Sequence, residues 1–141
     1  MDFEKELSVV ETGIEGLKVL DLSVHGDSRG WFKENYQRAK MVALGIPDLH
    51  VVQNNVSFNA NKGVTRGIHA EPWDKFISIA AGSVFGAWGD LREGSETFGK
   101  VFTCTLDCIE TVCNFTDNTL TNARPIKVSK ILNKSVNDFT D

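Results

Sequence analysis

The fold-deciding stretch of this 141-residue chain is Gly63-Val64-Thr65-Arg66-Gly67-Ile68-His69-Ala70. Its pattern is typical of a β-strand, and Lys75 follows close behind, so that an Arg, a His and a Lys fall within ten residues. A histidine can remove a proton beside a ketone, while two cations hold the negative charge that develops on the carbonyl oxygen. The stretch therefore predicts a strand that carries proton-transfer chemistry.

The spacing of Arg66 and His69 decides whether their side chains can lie on the same face of this strand. The two residues are three apart, so an unbroken strand would point their side chains to opposite faces. Both can serve one pocket only if the strand bulges or twists between them. Gly67 is the residue that permits this bulge or twist, so a shared pocket requires a distortion of the strand there.

Other short strand candidates surround this stretch. They cover residues 17–22, 31–36, 50–58, 76–81, 83–91 and 100–106. Gly82 predicts a hairpin between the two candidates that flank it. One short helix is predicted over residues 37–44, ending at Gly45 with Pro47 beyond. Many short strands with one short helix favour an all-β antiparallel sandwich or barrel.

The candidate strand 50–58 alternates between two kinds of residue. Its predicted packing positions are Val51, Val52, Val56 and Phe58. Its polar positions, at period two, are Gln53, Asn55 and Ser57. Three polar side chains on one strand face indicate either a wet pocket or a solvent-exposed face.

A second polar group lies near the N-terminus. Residues 25–30 predict a turn, and in the strand after it Phe32 and Glu34 share a face. Together with Arg29 they provide a cation, an aromatic ring and an acceptor, which could hold a nucleotide base and a diphosphate. The alternative interpretation is a solvated turn with ordinary core packing.

Composition excludes several classes of protein. The length predicts one domain, and 41% hydrophobic with 24% charged residues is typical of a soluble globular protein. The formal net charge is -4, and no Lys/Arg block predicts a nucleic-acid surface. The N-terminus lacks an apolar signal core and no run has the length of a membrane span. The cytoplasm is therefore the expected location.

Metal and disulfide chemistry are also not predicted. The three cysteines fit neither a zinc pair nor a disulfide framework, and reduced structural thiols are expected at Cys104, Cys108 and Cys113. The three histidines have no metal-ligand spacing: His25, His50 and His69. A glycine-rich nucleotide fingerprint and a nucleophile elbow are both lacking.

Four segments, taken in order, resemble the motifs of one family. Residues 26–35 (GDSRGWFKEN), 53–57 (QNNVS), 64–69 (VTRGIH) and 89–99 (GDLREGSETFG) are similar to motifs of the dTDP-4-dehydrorhamnose 3,5-epimerases. The resemblance covers roughly residues 19–107. It implies a cupin-type jelly roll over residues 1–141, no metal or organic cofactor, and a homodimer that exchanges N-terminal strands.

The resemblance also implies a substrate and roles for single residues. The substrate would be a dTDP-linked 4-keto-6-deoxy sugar, on the route to dTDP-L-rhamnose. His69 would remove the protons at C3 and C5, and Arg66 and Lys75 would stabilise the enolate. The nucleotide contacts, reaching into the partner's pocket, would be Arg29, Phe32 and Glu34. Further hydrogen bonds to the ligand would come from Gln53 and Asn55.

The end of the chain departs from the family pattern. After about residue 107 the periodicity decays, and residues 126–132 predict one strand or one helix face. The family's later motif, its catalytic tyrosine and the aspartate that pairs with the histidine are not recognisable, and Tyr36 lies in the wrong motif to replace the tyrosine. Truncation, a frame change or divergence would each produce this end. A chain lacking final strands would need a dimer to cover its edges, or would be poorly soluble.

Two other functions are consistent with these residues. One is a cupin that binds a dTDP-sugar without turning it over. The other is a dTDP-sugar ketoisomerase, which usually shows His-Ala-His where this chain has His69, Ala70 and Glu71. The match at residues 97–99 favours the epimerase over the ketoisomerase.

Overall fold

The computed structural model describes residues 5–71, 73–108, 110–114 and 127–134. Within these ranges the chain forms ten strands and one helix. In chain order they are β1 (Ser8–Glu11), β2 (Leu17–Asp21), β3 (Val24–Asp27), β4 (Gly30–Lys33), α1 (Arg38–Ala43), β5 (Thr65–His69), β6 (Lys75–Ser78), β7 (Ser83–Gly89), β8 (Val101–Leu106), β9 (Glu110–Asn114) and β10 (Lys127–Lys134). The described helix is too short and too polar to cross a membrane.

The strands form two four-stranded sheets and one hairpin. One sheet has the order β1-β2-β9-β6, the other has the order β5-β10-β7-β8, and β3 pairs with β4 alone. Every pair between these strands is antiparallel. The prediction of an all-β antiparallel architecture is confirmed.

The core lies between the two large sheets. Apolar side chains of β2 pack against those of β7 and β8 in one buried cluster: Ile14, Leu17, Val19, Val84, Trp88 and Leu106. A second cluster joins the end of β2 to α1: Leu20, Leu22, Met41 and Ile46. Each buried aliphatic side chain contributes about 1.5–3 kcal/mol of transfer free energy, so these clusters hold the sheets together.

Helix α1 begins and ends where the sequence predicts. The Gln37 side chain caps the N-terminus by accepting from the Lys40 backbone N–H at 2.7 Å. At the other end Gly45 adopts a φ of 83°, and the Ile46 N–H reaches back to the Met41 carbonyl at 3.1 Å. Ile46 and Met41 also pack together in the core. This is a Schellman ending, in which glycine is favoured because it accepts the left-handed conformation.

The predicted hairpin at Gly82 is wrong. β6 pairs with β9 in one sheet, whereas β7 pairs with β8 and β10 in the other. Gly82, with a φ of 78°, therefore connects two sheets. A glycine marks a change of direction, but it does not specify whether the next strand pairs with the last one.

The predicted strand over residues 50–58 is also wrong. These residues form no strand pair with any described part of the chain. The four predicted packing residues are all exposed, and Val52 is 97% exposed. Alternation alone predicted burial here, but a strand needs a neighbouring edge and a core to face.

Two further boundaries differ from the sequence expectation. Residues 24–27 pair with β4 in register from Val24–Lys33 to Asp27–Gly30. The predicted turn over 25–30 is therefore only two residues long, and β4 ends before Glu34.

The chain beyond residue 107 contains β9 and β10, although the hydrophobic periodicity of the sequence decays there. Both strands lie inside their sheets, where pairing on two sides compensates for a weak local pattern. The strand alternative for 126–132 is confirmed over 127–132.

Candidate active site

The strand that carries Arg66 and His69 is distorted as predicted. His69 lies opposite Val128 of β10, but Gly67 lies opposite the next residue, Ser129. Ile68 therefore has no partner in β10, and Lys130 has none in β5 because Arg66 lies opposite Ile131, so the pairing is irregular on both sides of the Gly67–Ser129 pair. Gly67 has a φ of 116°, a conformation that residues with a Cβ rarely adopt. The strand is thus distorted between Arg66 and His69, as the sharing of one pocket by their side chains would require.

Arg66 is held by the turn that precedes β5. Its Nε donates to Asn59 Oδ1 at 2.6 Å, and its Nη2 donates to the Phe58 carbonyl at 3.1 Å. Charge-assisted hydrogen bonds of this kind fix the orientation of a guanidinium, whereas a guanidinium that contacts only water can rotate. Arg66 is therefore an oriented cation at the edge strand of its sheet.

Lys75 is tied to the end of the same strand through Glu71. Its ammonium donates to Glu71 Oε2. This hydrogen bond is the largest cause that lowers the pKa of Glu71. Desolvation acts in the opposite direction and raises that pKa, whereas the charges of Lys75 and His69 lower it further. Both side chains are half-buried, whereas His69 is exposed. The site thus has a solvent-accessible imidazole near an ionised carboxylate and its lysine.

Of the predicted nucleotide-binding residues, Arg29 and Phe32 lie on the β3–β4 hairpin and Glu34 directly follows β4. Arg29 sits at the tip of the hairpin, where Asp27 accepts from the Arg29 backbone N–H at 2.9 Å and from its Nε at 3.1 Å. Hydrogen bonds from Arg29 lower the pKa of Asp27. Phe32 is 69% exposed, so the core-packing alternative is wrong for this ring. Glu34 accepts from Lys40 at 2.8 Å.

The structure brings Gln53 and Asn55 together in a segment outside the described strands. Gln53 Nε2 donates to Asn55 Oδ1 at 3.2 Å, and both residues are exposed. Among the described contacts, none joins either the hairpin residues or this pair to His69 or Lys75. Within the described ranges, no three His, Cys, Asp and Glu side chains gather into a metal-binding group.

Sequence reasoning missed a buried polar loop at the end of β7. Asp90 and Arg92 are both 0% exposed. Arg92 donates to Asp90 through Nε at 2.9 Å and Nη2 at 2.8 Å, and to the Glu15 carbonyl at 2.7 Å. Hydroxyls of Ser95 and Thr97 donate to the same carboxylate at 2.8 and 2.6 Å. The side chains of the motif over residues 89–99 therefore have a structural role in this loop. The sequence feature that could have indicated the loop is the recurrence of short polar residues around glycines.

The carboxylate of Asp90 is strongly stabilised in this loop. Burial alone would raise its pKa, but the hydrogen bonds from Arg92, Thr97 and Ser95 outweigh burial and hold the pKa well below its ordinary value. A buried carboxylate with several donors stays ionised.

A second missed group surrounds Lys33. Its ammonium donates to the Ser78 hydroxyl at 3.1 Å and to the Ile79 carbonyl at 2.8 Å. Burial lowers the pKa of Lys33, and the charges of Cys108 and Asp107 oppose this. Burial also raises the pKa of the half-buried Cys108 thiol. These bonds attach the β3–β4 hairpin to β6, and local sequence gave no signal for them.

The chain is similar to a known family and to individual members of it. The sequence model of a family described as dTDP-4-dehydrorhamnose 3,5-epimerase matches residues 11–114. "Protein RmlC homolog" of Streptococcus pyogenes serotype M6 is 52% identical over 111 residues, which is 74% of this chain and 55% of that protein. The dTDP-4-dehydrorhamnose 3,5-epimerase of Escherichia coli K12 is 37% identical over 99 residues, 67% of this chain and 52% of that one. The chain spans about half the length of these curated relatives.

Solved structures agree with the family. RmlC from Streptococcus suis, in complex with dTDP-D-xylose, has a TM-score of 0.73 at 40% identity, covering 94% of this chain and 72% of that chain. NovW, a 4-keto-6-deoxy sugar epimerase from Streptomyces spheroides, has a TM-score of 0.76 at 28% identity, covering 94% of this chain and 64% of that chain. The antiparallel sheets described above are thus a cupin-type jelly roll. On its motifs, its fold and the match over residues 11–114, the chain belongs to the dTDP-4-dehydrorhamnose 3,5-epimerase family.

Proposed function

We propose that this protein epimerises a dTDP-linked 4-keto-6-deoxy sugar at C3 and C5, in the biosynthesis of dTDP-L-rhamnose. The observation that supports the proposal is the distortion of β5 at Gly67, between Arg66 and His69, which the sharing of one pocket by these two side chains would require. The ion pair of Lys75 with Glu71 supports it, because it ties a second cation to the end of β5.

The proposed chemistry starts with proton removal. The His69 imidazole accepts a proton from the carbon next to the ketone, and the electrons of the broken C–H bond form a C=C bond to C4. The negative charge moves onto the C4 oxygen, where Arg66 and Lys75 stabilise the enolate. Inversion is complete when solvent water donates a proton to the carbon from the opposite face, because no tyrosine recognisable by motif is present to do so, and His69 passes the proton that it removed to solvent. Neither step needs a metal or an organic cofactor.

The proposal places the nucleotide on the β3–β4 hairpin. Arg29 would meet the diphosphate, Phe32 would stack on the base, and Glu34 would accept a hydrogen bond. The exposure of Phe32 supports a role in a partner's pocket, and we propose a cytoplasmic homodimer in which each hairpin reaches the other subunit. Gln53 and Asn55 would complete the ligand contacts. Complexes of relatives with dTDP-D-xylose and with dTDP-4-keto-L-rhamnose agree with this ligand class.

Proton exchange in heavy water tests the enzyme proposal. The folded protein is incubated with dTDP-4-keto-6-deoxyglucose, and the sugar C3 and C5 protons are followed by NMR. We expect both to exchange, and His69→Ala to slow exchange at least about 100-fold. His50→Ala, which removes another exposed imidazole, is the matched control and should exchange normally.

The other outcomes separate the alternatives. Binding of the nucleotide sugar with no proton exchange would favour a binding module. Exchange of one proton with migration of the ketone would favour a ketoisomerase. Exchange that survives in His69→Ala would remove His69 from the role of base.

A further inference from the structure

Glu71 and Trp73 lie between β5 and β6, directly beyond His69, and the mechanism above gives neither of them a role. β5 and β6 belong to different sheets. Lys75 is the first residue of β6, so its ion pair with Glu71 joins the end of one sheet to the start of the other. A contact of this kind fixes the ammonium of Lys75 relative to the strand that carries His69.

Trp73 is the second residue after Glu71 in the same loop. An interaction with its side chain is the smallest of the causes that lower the pKa of Glu71, and the indole N–H is the donor that tryptophan has. The ring is 54% exposed, so its apolar faces are open to a ligand and do not pack in the core.

The chemistry of lysine suits this arrangement. An ammonium has three donors, and Glu71 occupies one of them, which leaves the others for a developing oxyanion. An ammonium already held in place loses less conformational freedom when the enolate forms than a free side chain would. The hydrogen bond from Lys75 lowers the pKa of Glu71, so the carboxylate stays ionised at neutral pH.

We propose that Glu71 is a positioning residue of this site, whose carboxylate holds the Lys75 ammonium and the Trp73 indole at the end of the strand that carries His69. The exposed indole face then borders the deoxysugar ring. This role rests on the proposed function, because positioning matters only if Lys75 meets an enolate.

Three variants test the proposal. Glu71→Gln removes the charge at nearly constant shape, and Glu71→Asp keeps it. Glu11→Gln is the matched control, because it removes an exposed carboxylate that accepts from Lys18 at 2.6 Å elsewhere in the fold. Each is assayed by sugar proton exchange and by the indole N–H signal of Trp73 in ¹⁵N–¹H NMR.

We expect Glu71→Gln to lower kcat for proton exchange about 10- to 100-fold, with KM for the dTDP-sugar nearly unchanged because Lys75 meets charge only in the enolate. It should also shift the Trp73 indole signal. Glu71→Asp should recover part of kcat, and Glu11→Gln should change neither quantity.

The outcomes distinguish the two proposals. An unchanged Trp73 signal in Glu71→Gln, or an equal loss of kcat in Glu11→Gln, would overturn the role of Glu71. If the wild-type protein exchanges no sugar proton while Glu71→Gln alone shifts the Trp73 signal, the structural hold on Trp73 stands and the proposed function falls.

Discussion

The two ion pairs at Asp90–Arg92 and Glu71–Lys75 use similar groups in opposite environments. The first is completely buried, and its carboxylate also accepts from Ser95 and Thr97. The second lies at a half-exposed junction, and the ammonium keeps donors for a ligand. Burial with many partners makes a rigid brace, whereas partial exposure with few partners leaves a charge available for chemistry. The difference predicts opposite responses to mutation.

The largest effect should follow from removing the buried charge. Asp90→Asn leaves Arg92 buried without its counter-ion, which costs about 3–5 kcal/mol of unfolding free energy. Urea denaturation measures this, with Glu96→Gln as a control because Glu96 is an exposed carboxylate in the same loop. A loss under about 1 kcal/mol for Asp90→Asn would mean that the buried pair is not a brace.

Acid should act on the same brace. The pKa of Asp90 is lower in the folded chain than the ordinary carboxyl value of about 3.9. Its contribution to stability is therefore complete above that value and is lost as the pH falls through the lower, folded pKa. The stability gap between wild type and Asp90→Asn, measured by urea titration, should be constant from pH 7 to about pH 5 and should narrow below pH 4. A gap that shrinks near pH 6 would contradict this.

Removing one donor should have an intermediate effect. Thr97→Val deletes the hydroxyl that donates to Asp90 at 2.6 Å, and a hydrogen bond to a charged group contributes about 1.5–3 kcal/mol. Thr103→Val, at an exposed position in β8, is the control and should be nearly neutral in thermal unfolding. Equal effects of the two variants would show that the loop does not depend on this bond.

The smallest effect on stability is expected at the exposed pair. Glu71→Gln should change the unfolding free energy by no more than about 0.5 kcal/mol, because solvent already screens this contact. Denaturation of the variant, run beside its exchange assay, checks this. A large loss of stability would show that Glu71 has a structural role like that of Asp90. The Glu71–Lys75 and Asp90–Arg92 pairs would then not differ in function.

The same contrast explains what could be read from the sequence. The distortion at Gly67 was predictable, because Arg66 and His69 could share a pocket only if the strand is distorted between them and glycine permits that distortion. The helix ending at Gly45 and the family motifs were also predictable, since each is local. Strand partners were not: Gly82 looked like a hairpin turn, and the alternation over residues 50–58 looked like a packed strand.

The burial of charged side chains could likewise not be predicted from the sequence alone. Asp90 and Arg92 read as a polar turn, and only the fold brings the Glu15 carbonyl to Arg92. The contact of Lys33 with Ser78 spans 45 residues, so no window of local pattern contains it. The candidate site residues on β5, Arg66 and His69, could be proposed from the sequence because they lie within four consecutive positions.

The distortion of β5 also has a consequence for protein engineering. The pairing of β5 with β10 is irregular on both sides of Gly67 and regains its register beyond it, so this glycine lies at the point where the register of the strand is set. A slip of one residue would exchange the faces of all side chains beyond it. Libraries aimed at new sugar specificity should therefore vary the neighbours of His69 and keep Gly67 fixed, since its φ of 116° leaves no other residue type a relaxed place in that position.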